Sequence, residues 1–446
     1  MDDLKALLER TASTHKPADE ALQRTLLQAE RRRTRKRLVA GIVALAVAGV
    51  GIGTAVLAFR GSVLPSSPAG PCGTWIRRQG PPGGAYFTQS FALGPSDVWV
   101  VGADESQLHA WIGHWSGADW RVTPTPYLGT RYNHLSGISG TASNDLWATG
   151  IAYPGQSDRV SHPIALHWDG RSWTVAALPT VPGTQGALGP VAAVARNDVW
   201  AAGWSGDKGT HRSLIEHWDG HTWTLASIPN GADRYARLSS ISALSARDVW
   251  AVGNDTRGYF SNTVLHWGGT AWKSIDVPPL RISTGDVGHR PLAQAVVALA
   301  RDDVWIAATA DETVREGNHL RNLGSSPYFV HWDGSRWTAQ RGPMPKGTTV
   351  TLNGMGGRGR SVWAVGERQG GSPVSEPVIY ALRNGAWELV PSPTIPPAPL
   401  HMDDFRRNQL FSVSVDPQGN ALALGTYFTS KSQSELALVE SYCPAP

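Results

Sequence analysis

A six-residue stretch recurs along most of this chain, and its period limits the fold more than any other feature. The clearest copy is Asp198-Val199-Trp200-Ala201-Ala202-Gly203. Counterparts are Asp97-Val98-Trp99, Asp145-Leu146-Trp147, Asp248-Val249-Trp250, Asp303-Val304-Trp305 and Ser361-Val362-Trp363, with a degenerate seventh from Asn420 to Gly425. Each alternates small and large apolar residues and mostly ends at Gly, the signature of a buried strand. Successive copies lie 48 to 59 residues apart, a period that belongs to propeller blades or solenoids.

A second motif follows each strand. In the third repeat it is His217-Trp218-Asp219-Gly220-His221-Thr222-Trp223, a strand end, a tight Asp-Gly turn and the start of another strand. The same Trp-to-Trp spacing recurs at Trp115/Trp120, Trp168/Trp173, Trp267/Trp272 and Trp332/Trp337, and weakly at Leu382/Trp387. Four strands per repeat account for the pattern. In the fourth repeat, strand A covers 238–244, B 248–253 and C 263–267, and D begins at Trp272. The fold class is therefore all-β, a seven-bladed β-propeller of four-stranded blades over residues 72–446. The repeated tryptophans serve mainly as packing between blades, with Trp111 and Trp204 outside the register and freer. His114, His167, His217, His266 and His331 come one per blade; so dispersed, they cannot converge on a metal and read as packing residues.

The two ends of this region complement each other. The seventh repeat stops at Glu440-Ser441-Tyr442-Cys443, where the others turn into strand D. The missing strand appears at the other end as Cys72-Gly73-Thr74-Trp75, which matches the Gly-x-x-Trp of complete repeats. A shared seventh blade would leave neither end as an open edge. It would also bring Cys72 and Cys443, the 2 cysteines of the chain, within bridging reach. A disulfide closing so long a loop is worth about 4–5 kcal/mol in the chain-entropy model; the alternative is two free thiols.

Residues 1–37 carry ten Lys/Arg against six Asp/Glu, and 19–30 has near-helical apolar spacing. The run Arg31-Arg32-Arg33-Thr34-Arg35-Lys36-Arg37 precedes 22 uncharged residues, 38–59. That length spans a bilayer as a helix, and the basic run before it places residues 1–37 in the cytoplasm as a short helical tail. A cleaved signal peptide is the competitor, but both its leader and its apolar core would be unusually long. Residues 60–71 form a Pro/Ser/Gly tether, so the propeller lies outside the cytoplasm, where a disulfide persists. Removing the tail leaves 30 basic and 30 acidic residues in 38–446. No basic footprint for nucleic acid remains.

The Val-Trp-Ala-Val-Gly strand, the Trp-Asp-Gly turn and the Trp five residues on resemble the kelch and galactose-oxidase type of propeller blade over residues 72–446. They resemble still more the Asp-Val-Trp-Ala-Val-Gly … His-Trp-Asp-Gly-x-x-Trp repeats of bacterial extracytoplasmic proteins. The first likeness implies a ring of four-stranded blades; no activity follows from the second.

In such blades the A–B and C–D turns share one face, and the B–C and D–A loops share the other. Length varies only in the second set, as in 276–291, 310–326 and 390–409, and loops on a rigid scaffold are where binding residues gather. Residues just before strand A should ring the channel mouth there. They are Asn133, His134, Tyr235, Arg237, His289, Arg290, Arg407 and Asn408, a set suited to an anionic ligand or acidic peptide segment. His289 and His319 sit on loops too long to fix a metal geometry; neither metal nor cofactor is assigned. No Ser-centred elbow, P-loop, dinucleotide fingerprint or His-Glu-x-x-His segment occurs. Galactose-oxidase chemistry needs a Tyr–Cys crosslink, and both cysteines occupy the closure strands. A glycosidase needs two paired carboxylates; Asp311, Glu312, Glu316, Asp403 and Asp404 lie on loops with nothing to pair them. The sequence favours a membrane-anchored extracytoplasmic module that binds a protein, peptide or glycan, with residues 1–37 free to dock a cytoplasmic partner as a sensor would. A polysaccharide hydrolase or lyase is the alternative.

Overall fold

Seven four-stranded antiparallel sheets build the protein, each running from an inner strand A to an outer strand D. The computed structural model describes residues 72–81, 86–104, 106, 109–129, 132–153, 160–207, 209–229, 236–255, 262–277, 292–316, 319–370, 374–395, 408–427 and 436–444, without the side chains of 255 and 313–323. All of them belong to one unit, Ser66–Pro446. The proposed tail and membrane span, 1–59, lie outside the described residues. Among the described residues, no helix is long and apolar enough to cross a membrane.

Blade 4 shows how the repeat works. Its strands are Ala236–Ser245, Asp248–Asp255, Asn262–Trp267 and Trp272–Ser274, within a few residues of the expected bounds. Strand A carries a bulge between Leu238 and Ser240, opposite Gly253. A side chain on Gly253 would meet the Arg237 carbonyl, as one on Gly203 would meet Ala187 in blade 3, which is why the repeated motif closes on Gly at this point of strand B. The C–D turn is held by its Asp: in blade 3, Asp219 Oδ1 accepts from the amides of His221 and Thr222, both at 2.8 Å, and Gly220 takes φ 98°.

Tryptophans join the blades. In blades 2 to 6 the strand-D Trp meets the strand-B Trp of the preceding blade edge to face: Trp173 on Trp99, Trp223 on Trp147, Trp272 on Trp200, Trp337 on Trp250 and Trp387 on Trp305, with centroids 5.0–5.9 Å apart. Such contacts add to the area each ring buries. Inner strands are stapled by hydroxyls: Ser240 and Ser242 accept from the amides of Val296 and Ala298 in the next blade, at 3.1 and 3.0 Å.

The seventh blade closes the ring with strands from both ends. Gln409–Val415, Ala421–Tyr427 and Leu436–Tyr442 are joined by Trp75–Arg78 as the outer strand. Trp75 pairs with Tyr442 in register and lies 5.0 Å from Trp363 of blade 6, edge to face. Cys72 and Cys443 form a disulfide, their Cα atoms 4.9 Å apart.

Two expectations need correction. Residues 310–326, read as a loop, extend strands B and C of blade 5 into a long hairpin, Asp303–Glu316 paired with His319–Trp332. The backbone there satisfies its hydrogen bonds by pairing, so its polar composition does not make it a loop. Trp111 is not free: it is 7% exposed and packs 5.1 Å from Phe87, between blade 1 and Leu424 and Val439 of blade 7.

Candidate functional site

Strand A starts, and strand B ends, at the face bearing the B–C and D–A loops. Of the eight sequence-derived mouth residues, Tyr235, His289, Arg290 and Arg407 lie outside the described residues. Asn133 and Asn408 are buried at their strand starts, 2% and 7% exposed, with the Asn408 carbonyl accepting from Ser375 Oγ at 3.1 Å. They anchor the rim more than they line it. His134 and Arg237 do reach the face, in blades 2 and 4, and side chains absent from the sequence-derived set flank each of them.

His134 stacks on Tyr132, 6.0 Å between centroids, and its Nδ1 is 3.2 Å from Ser136 Oγ. Burial pushes its pKa down to about 4, so the ring is neutral at neutral pH. Tyr132 meets Tyr153 at 5.6 Å, edge to face. Arg237 lies at the same face, at the start of strand A of blade 4. The Arg237 guanidinium lies 4.2 Å over the Trp204 ring of blade 3, a cation–π contact. Its Nε and Nη2 are 3.2 and 3.0 Å from His211 Nδ1, and His211 lies 4.4 Å from Trp204. Partial burial, then the neighbouring Arg237, lowers the His211 pKa, which suits a ring that accepts from a guanidinium. Aromatic rings of blade 3 thus hold a cation of blade 4 at the mouth, and blade 2 adds an aromatic group at the same face.

Trp204 follows Gly203 on strand B, and its place outside the Trp register was the one signal in the sequence. Tyr132, Tyr153 and His211 gave none: Tyr132 meets Tyr153 across strands A and B of blade 2, His211 meets Trp204 across strands B and C of blade 3, and no repeated motif marks either pairing.

The opposite face carries a different constellation. In five blades the strand-C His donates from Nε2 to the strand-B Asp at 2.8–2.9 Å: His114 to Asp97, His167 to Asp145, His217 to Asp198, His266 to Asp248 and His331 to Asp303. Each ring also lies 4.0–4.5 Å from the strand-B Trp of its own blade. These residues clasp strand B to strand C. Among the described residues no group of His, Cys, Asp and Glu could hold a metal.

The carboxylates weighed for glycan cleavage are engaged where they are described. Asp311 accepts from Ser325 Oγ at 2.5 Å. Glu312 pairs with Arg341 at 2.8 Å and accepts from Tyr328 at 3.2 Å. Both brace the base of the blade 5 hairpin. The Glu316 side chain, Asp403 and Asp404 lie outside the described residues, as does the His319 side chain.

No protein-family model and no curated protein matches this chain. Among solved structures it is similar to YCF48 from Cyanidioschyzon merolae, at 15% identity and a TM-score of 0.50, over 83% of this chain and 99% of that one. A structure of YCF48 bound to D1 peptide matches at 16% identity and a TM-score of 0.48, over 88% and 99%. An Aleuria aurantia lectin in complex with Fucα1-6GlcNAc matches at 10% identity and 0.40, over 69% and 94%. At such identities the first likeness shows a shared propeller fold.

Proposed function

We propose that this chain is a membrane-anchored extracytoplasmic propeller that binds a protein, peptide or glycan on its B–C/D–A face. One observation carries the reading: at the mouth, Arg237 of blade 4 is held over Trp204 and against His211 of blade 3, and blade 2 presents His134, Tyr132 and Tyr153 at the same face. Aromatic groups around a cation are typical of recognition surfaces. The anchor rests on the basic run 31–37 followed by the 22 apolar and uncharged residues 38–59, which fit an N-in span. The Cys72–Cys443 disulfide fits an oxidising compartment. Blades that resemble the kelch type supply a rigid ring, and the mouth supplies the chemistry.

The test is a peptide array and a glycan array probed with the full chain in nanodiscs. Ligands retained intact, and lost when Trp204 is changed to Ala, are expected. Absence of any ligand, or turnover of an arrayed polysaccharide, would contradict the proposal.

A further inference from the structure

Arg237 is exposed at the mouth, yet burial against its neighbours lowers its pKa; the cation has lost part of its hydration. No ion pair compensates for this: among the described residues, its polar partner is His211, held at 3.0–3.2 Å. A guanidinium has five donors in a planar fork and no acceptor. His211 occupies one edge and Trp204 one face. The remaining donors are held in place without an acceptor among the described residues. A cation fixed in this way, partly dehydrated and lacking a counter-charge among the described residues, is organised in advance for an anion.

We infer that Arg237, held by Trp204 and His211, is a carboxylate-binding subsite for an acidic side chain of a peptide ligand. A carboxylate matches the open fork with two parallel N–H···O bonds. A peptide fits better than a uronic acid, because the aromatic rings around the site face one another. Trp204 is covered by Arg237 and flanked by His211, and Tyr132 is engaged by His134 and Tyr153. A sugar ring would need an unoccupied aromatic face to stack on.

This inference rests on the proposed binding role. Calorimetry on the full chain in zwitterionic nanodiscs tests it, with tetraglutamate, tetraglutamine and tetragalacturonate as probes. The basic run 31–37 gives the same background in every variant, so the comparison is between variants. Tetraglutamate should bind and tetraglutamine should not. Arg237→Met, which keeps an unbranched apolar side chain beside Trp204, should weaken tetraglutamate at least about tenfold. Arg237→Lys should weaken it less, and the difference between wild type and Arg237→Met should shrink with added salt. Unchanged melting temperatures for both variants establish that the ring is intact. Equal tetraglutamate affinity in wild type and Arg237→Met overturns the subsite, and binding of tetragalacturonate alone overturns the peptide assignment. If arrayed ligands are retained but none responds to Arg237→Met, the binding role stands and the subsite falls. If the arrays retain nothing, both fall.

Discussion

Glu216 sits within strand C of blade 3 at 0% exposure, and neither carboxylate oxygen has a hydrogen-bond partner among the described residues. Blades 2, 4 and 5 place Leu166, Leu265 and Val330 in the same position. Burial pushes the Glu216 pKa up to about 8. Glu440, its counterpart in blade 7, accepts from Ser392 Oγ at 2.9 and 3.1 Å; burial still outweighs Ser392 and Arg77 and raises it to about 7. A raised carboxyl pKa means that the folded state holds the proton more tightly than the unfolded chain. Stability is then fully present below the unfolded value, near 4.5, and is lost as pH climbs toward 8. His134, with its pKa lowered to about 4, works in the opposite direction but only below about 6.5. Thermal melts between pH 6.5 and 8 therefore isolate the carboxyls. Wild type should lose stability across that range, and Glu216→Leu should be more stable by about 3 kcal/mol at pH 7, with a flatter profile. Parallel profiles for the two proteins would contradict the assignment.

Each blade is an element, and the Asp–His–Trp clasp is what most of them share. Blade 6 tests its logic naturally, since Ser361 replaces the Asp and Ala381 the His. Ser361 Oγ accepts from Trp363 Nε1 at 2.8 Å and donates to the Gly419 carbonyl at 2.9 Å, so loss of the carboxylate accompanies loss of its partner. His217→Ala alone would leave Asp198, 9% exposed, without its imidazole donor, at a cost of about 1–3 kcal/mol. Adding Asp198→Ser should recover part of that loss in chemical denaturation, and a double variant no more stable than the single would count against the clasp. The blade was legible in the sequence because Trp, Gly and Asp each answer a steric or hydrogen-bonding need that recurs in every copy. The blade 5 hairpin was not. Its extension past Ala310 is charged, and only register with residues 319–326 makes it a strand. Trp111 was misread because its partners, Leu424 and Val439, lie at the far end of the chain.

At the scale of the whole molecule, ring geometry decides what the sequence reveals. Closure was legible from a strand missing at one end and present at the other. The mouth residues were legible only at His134, Arg237 and the out-of-register Trp204, because Arg237 of blade 4 meets Trp204 and His211 of blade 3 through the curvature of the ring and through no spacing along the chain. The same curvature makes the two ends of the propeller neighbours, so its most direct test is chemical. Cells are quenched with N-ethylmaleimide, and the protein is digested without reduction and examined by mass spectrometry. A closed ring outside the cytoplasm predicts one species joining the peptide of Cys72 to that of Cys443, with neither thiol alkylated. Two alkylated cysteines, or either one linked to a different chain, would contradict it.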